Sequence, residues 1–257
     1  MEFGVVPFSA LRKRDQWKVE YFIAEDASFA SVAYPMVSLG ELLTERRETI
    51  DPTEYAGHAF NYIGLENVEG HTGDLIGFEP CPGEKVRSRS KIYRNGDILY
   101  GRLRPYLNKV HFVDHWLGAG ICSGEFIVLQ ARPDRIHPEF CRYLLASSLV
   151  QERISGLQVG STHPRLSVSD LYEIRVPLPP MKTQEEMLTT IRRCEHLRRQ
   201  AKADASSMSA RLSLALIDCL KGGGALAAPA TATIQEQRYP ASLPAAFKDS
   251  KPSRNRI

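Results

Sequence analysis

Residues 101–109, Gly-Arg-Leu-Arg-Pro-Tyr-Leu-Asn-Lys, gather an unusual amount of recognition chemistry in one short stretch. Arg102 and Arg104 supply guanidiniums, Tyr106 a ring, Asn108 an amide and Lys109 an ammonium, on a turn between two strand-like runs. Arginine can address a guanine edge with two hydrogen bonds and asparagine an adenine edge, while lysine serves phosphates. A second phrase, Ser161-Thr162-His163-Pro164-Arg165, follows Gly156 and Gly160. Small hydroxyls beside glycines let a backbone approach a phosphate closely, and Arg165 adds charge. Arg87, Arg89 and Lys91 stand at alternate positions just upstream, where they read as phosphate contacts on a flexible approach loop. The competing reading is structural: alternate arginines on a solvated strand face, with Pro105 and Pro164 as ordinary turn residues.

Charge supports a localised anionic partner. The chain of 257 residues carries a formal net charge of +3, all of it in residues 222–257. The remainder is neutral but segregated. Glu41 to Glu79 holds nine acidic and two basic residues, whereas Lys85 to Lys109 holds eight basic residues against Asp97 alone. Such a segment suits nucleic acid. It suits equally a fold in which the two segments pair with each other.

Catalytic signatures are missing. The sequence has no GxxxxGK[ST] phosphate loop, no GxGxxG after a strand, no GxSxG elbow and no Asn-Pro-Pro-aromatic tetrapeptide. His111 and His115 fall in a strand-like run without a nearby third ligand, so no metal site is expected. Glu84, Lys85 and Asp97 could be bent into a nuclease-like acid-acid-lysine set, which defines the rival reading of a small metal-dependent DNA nuclease. The five cysteines form no CxxC pair, which suggests neither zinc nor a disulfide framework. No cofactor is called for. No apolar run approaches the ~18 residues that span a bilayer, and residues 1–14 lack the pattern of a secretory signal, so a cytoplasmic location is expected.

The elements that must carry these residues are short. Residues 1–35 read as a lead segment, with Ser9 a possible N-cap and Trp17 to Ile23 fitting helix or strand. Between residues 36 and 180, strand-length runs occur at Tyr62–Leu65, Asp97–Tyr100, Lys109–Val113 and Glu125–Leu129, and Pro138 to Ser148 has helical spacing. Val37 to Leu43 reads as a short helix or strand entry. From Met181 to Lys221 there is neither Pro nor Gly. Met187, Cys194, Ala201, Met208 and Ala215 form one row with sevenfold spacing; Ile191, Arg198, Ala205, Leu212 and Cys219 form another. Only Arg198 breaks this coiled-coil-like seam. A helix of that length is about 60 Å long and needs either a partner helix or its own domain to cover its stripe. Residues 222–257 read as a disordered basic tail.

The order of phrases resembles the specificity subunit of type I restriction–modification systems. The resemblance is carried by Tyr62–Glu69, Gly96–Lys109, Cys122–Val128, Gly160–Ser167 and Val176–Pro180 followed by Gln184-Glu185-Glu186, with Trp17–Phe22 similar to the family's opening. It implies a mixed α/β target recognition domain, non-catalytic, followed by a long helix that docks adenine-N6 methyltransferase subunits, beside a restriction subunit that translocates DNA. Arg87, Arg89, Lys91, Arg102, Arg104, Asn108, Lys109, Thr162, His163 and Arg165 are then the expected DNA contacts. A full family member carries two recognition domains and two helices, so this chain resembles a half subunit, which leaves open a homodimer, a second half encoded elsewhere, or an orphan DNA-binding protein. Pairing through Met187, Ile191, Cys194, Ala201, Ala205, Met208, Leu212 and Ala215, with a second copy or a second half, is expected.

Overall fold

The computed structural model describes residues 33–55, 57–156 and 164–220. Expectations for Ser9–Ile23, Thr162, His163, the side chains of Ala215 and Cys219, and residues 222–257 lie outside what is described. The described residues fall into two units, one ending at Met181 and the other beginning at Lys182.

The first unit is built on two four-stranded sheets. One has the order β2 (Leu43–Glu45), β11 (Phe126–Ala131), β8 (Asp97–Gly101), β9 (Val110–Phe112), antiparallel throughout. The other has the order β3 (Thr49–Ile50), β7 (Ser90–Tyr93), β10 (Gly120–Cys122), β5 (Tyr62–Ile63), and only β10–β5 is parallel. Two-stranded pairs join β1 (Met36–Ser38) to β12 (Arg175–Pro177) and β4 (Ala59–Phe60) to β6 (Cys81–Pro82). The helices are α1 (Leu39–Leu42), α2 (Pro138–Ala146), α3 (Ser148–Gly156), α4 (Val168–Glu173) and α5 (Met181–Leu220).

Side-chain alternation explains the layering. Leu99 of β8 and Phe126 and Val128 of β11 enter a core with Tyr93 and Cys122 from the second sheet. Their neighbours Ile98, Tyr100, Ile127 and Leu129 are also fully buried, on the opposite face. Helix α2 packs against β8 and β11 and buries Phe140, Cys141 and Leu145. A strand covered on both faces is apolar along most of its length, here Ile98–Tyr100 and Phe126–Leu129, which is why Asp97–Tyr100 and Glu125–Leu129 stood out in the sequence. The second sheet is likewise two-sided: Ile92 and Ile121 leave the first core and join Ile50 and Phe60 in a smaller cluster. Gly120 permits a close approach within this sheet. A Cβ there would lie 2.4 Å from both Asn61 O and Tyr93 Oη, and Tyr93 donates to that same carbonyl at 2.8 Å.

The acidic and basic segments do meet. Arg46 donates to both oxygens of buried Asp97 at 2.7 and 3.1 Å, and the Arg94 amide adds a bond of 2.8 Å. Arg94 grips Glu48 through two bonds of 2.6 and 2.9 Å, and Lys91 pairs with Glu45 at 3.4 Å. Burial pushes the Asp97 carboxyl up from its ordinary value, and the bonds from Arg46 oppose that rise. This arrangement corrects the nuclease-like set. Asp97 is locked by Arg46, and Glu84 accepts from the Gly57 amide at 3.3 Å instead of joining it. Lys91 is likewise on a strand, not on a loop.

Helix α5 runs unbroken over 40 residues, as the absence of Pro and Gly allows. No helix among the described residues is long and apolar enough to cross a membrane. Helix α3 was not anticipated, because Gln151-Glu152-Arg153 interrupts the apolar pattern that marks a helix.

Glu48 yields a pH test. The bonds from Arg94 lead the causes that hold its carboxyl at about 2, against an ordinary 4.5. A carboxyl lowered in the folded state stabilises above the unfolded value and loses that contribution as pH falls. Glu48→Gln should therefore destabilise by roughly 1 kcal/mol at pH 7. The gap to the parent in denaturant melts should close between about pH 4.5 and 2.

Candidate nucleic-acid interface

The two cationic phrases, some sixty residues apart, lie side by side. Leu103 and Arg165 form an antiparallel bridge, flanked by Arg104 N–H to Pro164 O at 2.9 Å and Leu166 N–H to Arg102 O at 3.0 Å. Strand β8 ends at Gly101 and delivers the chain directly into this pairing. A Cβ on Gly101 would press on Leu65 and Lys109 at 3.1–3.2 Å.

The turn that follows is held against its own backbone preference. Residues 105–107 form a single 3₁₀ turn flanked by Arg104 at φ +49° and Asn108 at φ +48°. Non-glycine residues in the left-handed region cost about 1–3 kcal/mol each and persist only where surroundings over-determine them. Here they do. The Asn108 amide donates to Ala146 O at 2.8 Å, and the His71 amide donates to Asn108 O at 2.8 Å. At Gly70 a Cβ would sit 2.5 Å from Leu107 O. The facing loop is pinned in turn by buried Arg142, which donates to Val110 O at 3.1 Å and to Thr72 O.

These contacts sort the expected site residues. Arg87, Arg89, Arg104 and Arg165 are exposed, and Arg102 is half-buried with its Nε finding no acceptor among the described residues. Lys91 is engaged by Glu45, and Lys109 donates to Leu65 O at 2.7 Å. Asn108 is 6% exposed; its side-chain N–H donates to Ala146 O, and its Oδ1 finds no donor among the described residues. As they stand, Lys91, Asn108 and Lys109 work for the fold. Tyr106 and Leu107, between them, are exposed.

Glu125 is the residue that the sequence did not single out. Its carboxylate receives three bonds from Arg165, the shortest 2.8 Å, and its main-chain oxygen accepts from Arg102 N–H at 2.9 Å. Hydrogen bonding from Arg165 holds the Glu125 carboxyl below its usual range. Nothing in the local sequence marks an acidic residue before β11 as the partner of an arginine forty residues on.

Other candidate chemistry is dispersed. His111 is buried with Nδ1 2.9 Å from Gly73 O, and His115 pairs with its neighbour Asp114. No metal-holding cluster occurs among the described residues. Burial pushes the Cys141 thiol up to about 12, which makes it inert.

Residues 36–202 match the family described as type I restriction modification DNA specificity domain. The chain belongs to that family. It is 29% identical over 136 residues to the EcoDI specificity subunit of Escherichia coli, covering 53% of this chain and 29% of that protein. It is 27% identical over 158 residues to the HindI specificity subunit of Haemophilus influenzae, covering 60% and 33%. Its fold is similar to the crystal structure of the HsdS subunit from Thermoanaerobacter tengcongensis, with TM-score 0.58, 26% identity, and coverage of 72% of this chain and 48% of that one. A second solved chain, from work on complex assembly and conformational transition of the type I R-M system, gives TM-score 0.55 at 26% identity, with coverage of 73% and 51%. The chain thus spans about a third of the length of these curated relatives and half of the solved chains. The mixed α/β domain followed by a long helix is the specificity-subunit architecture. The family matched is one of DNA specificity domains, and the geometry keeps Asp97 and Glu84 apart on separate partners.

Glu125 controls how much positive charge this surface shows. Glu125→Gln should free Arg165 and raise the salt concentration at which the protein leaves a heparin column. Unchanged elution would mean that the pair is not what limits the surface charge.

Proposed function

We propose that this chain is a DNA sequence reader that directs an adenine methyltransferase, together with a restriction and translocase subunit, to a bipartite site in cytoplasmic DNA. The observation that carries the reading is the Leu103–Arg165 bridge, which lays the backbone of Arg102–Arg104 against that of Pro164–Leu166 and so brings the two cationic phrases together. Family membership over residues 36–202 supports it. Within the reading, Arg104 addresses a base, Arg102 and Arg165 address base or phosphate, and Arg87 and Arg89 address the backbone. Thr162 and His163 stay in the proposed contact set. Lys91, Asn108 and Lys109 hold the surface in shape, a revision of their expected role as contacts. The chain brings no chemistry of its own, so S-adenosylmethionine should bind only after the methyltransferase subunit has joined.

Selection from a random duplex library by the full chain tests this directly. A short common sequence should be enriched, and affinity should fall with salt at a log–log slope of about −0.9 per phosphate contact. Arg104→Ala should cost about 1–3 kcal/mol on the selected site and relax one position of it. A lower melting temperature with the preference intact would make Arg104 structural.

Pairing through α5 is the second part of the proposal. Met187, Cys194, Ala201, Ala205, Met208 and Leu212 are exposed, Leu212 at 67%, and Ile191 is half-exposed. Arg198, the break in the seam, pairs with Glu195 one turn back at 2.6 Å and so needs no partner-chain acid. An uncovered stripe of this kind favours a second helix. If the partner is a second copy, two-fold symmetry makes the site an interrupted palindrome. Leu212→Asp should then shift sedimentation from dimer to monomer and abolish methylation of the split site. A single copy in the wild-type complex, or a non-palindromic site, would assign the second half to a different chain.

A further inference from the structure

We infer that Tyr106 and Leu107 form a rigid wedge that enters the base stack of duplex DNA, between phosphates held by the neighbouring arginines. The inference rests on the DNA reading above and adds a mechanical role to that surface. Among the described residues ahead of α5, the exposed large apolar side chains are Ile76 at 42%, Tyr106 at 53% and Leu107 at 39%. A single exposed hydrophobe such as Ile76 needs no explanation. An adjacent pair at a fixed turn does.

The pair cannot simply fold inwards. Pro105 is buried beneath it, Leu107 N–H donates to Arg104 O at 2.9 Å, and Asn108 N–H donates to Pro105 O at 2.8 Å. His71, Gly70 and Ala146 close the remaining sides of the turn through the contacts already described. Two left-handed non-glycine residues bracket three positions and keep the tip presented. The binding partner must therefore come to it.

Charge selects the partner. Arg104, exposed, lies two residues before Tyr106 and half-buried Arg102 two before that; Arg165, whose backbone is bridged to Leu103, adds a guanidinium already held by Glu125. An apolar tip alone would suit a pocket on a protein. An apolar tip with guanidiniums at its base suits a target that is apolar between rows of anions, and a base-pair stack between phosphates has that form. Apolar side chains inserted at a base step unstack it and kink the duplex by about 20–90°.

The test uses the full chain and duplexes enriched by the selection above, labelled at both ends for energy transfer and carrying 2-aminopurine at successive steps. Binding should shorten the end-to-end distance and brighten 2-aminopurine at one step. Tyr106→Ala and Leu107→Ala should remove both signals, with Tyr106→Ala weakening binding roughly 5- to 150-fold. Tyr106→Phe should retain them, because the ring does the stacking. Both positions are exposed, so melting temperatures should stay near the parent value. Tight, selective binding with neither signal overturns the wedge and leaves the DNA reading standing. Loss of methyltransferase-subunit binding in the alanine variants, with DNA binding unchanged, overturns it in favour of a protein contact. If the selection enriches nothing, the DNA reading and the wedge fall together.

Discussion

Asp97 is a carboxylate at the first position of a strand buried on both faces, and its needs organise much of the domain. An isolated buried charge would cost several kcal/mol, so it has to be met, and it is met by Arg46 and the Arg94 amide. Arg94 then fixes Glu48, and Lys91 fixes Glu45. Glu45 lies on β2 and Asp97 on β8, in one sheet; Lys91 lies on β7, in the other. The ionic network therefore ties the two sheets together at one edge. With β8 so anchored and paired to β11 from Asp97 to Gly101, the position at which the chain leaves the sheet is set, and with it the position of Arg102.

That network also divides the cations. The segment from Lys85 to Lys109 looks uniformly basic in the sequence, but its side chains do two different jobs. Lys91 and Arg94 face acids, and Lys109 faces a carbonyl. Arg87, Arg89 and Arg104 face outwards. Net charge along a sequence thus overstates the charge a ligand would meet. The pairing reading of the segregated charge holds for Lys91 and Arg94, and Arg87, Arg89 and Arg104 are the cations left facing outwards.

The long two-sided strands and the long helix were legible because their signals are local: unbroken apolar runs, a proline at the first turn of α2, and forty residues without Pro or Gly. The turn at Arg104–Asn108 was legible as a cluster of chemistry but not as a shape. Its left-handed residues are stabilised by His71, Gly70 and Ala146, none of which is near in sequence. Asn108 shows the limit plainly. An asparagine among arginines suggests base recognition, yet the side chain is buried and its N–H is taken by the carbonyl at the end of α2, while Oδ1 finds no donor among the described residues. The same distance in sequence hid Glu125. A residue's type announces what it could bind, and only the fold decides whether that capacity is already used.

Glu125 and Arg165 carry this one step further. An arginine held by three bonds to a carboxylate offers less net charge to a polyanion, which lowers affinity that is blind to sequence. It also loses less side-chain freedom when it meets a ligand, because its fork is already oriented. A carboxylate at the same place can accept from a cytosine amino group while rejecting a phosphate. The pair trades electrostatic attraction for geometric demand. On the proposed DNA reading, affinity common to every sequence is the term to suppress, and an acid placed against an arginine suppresses it without removing the arginine.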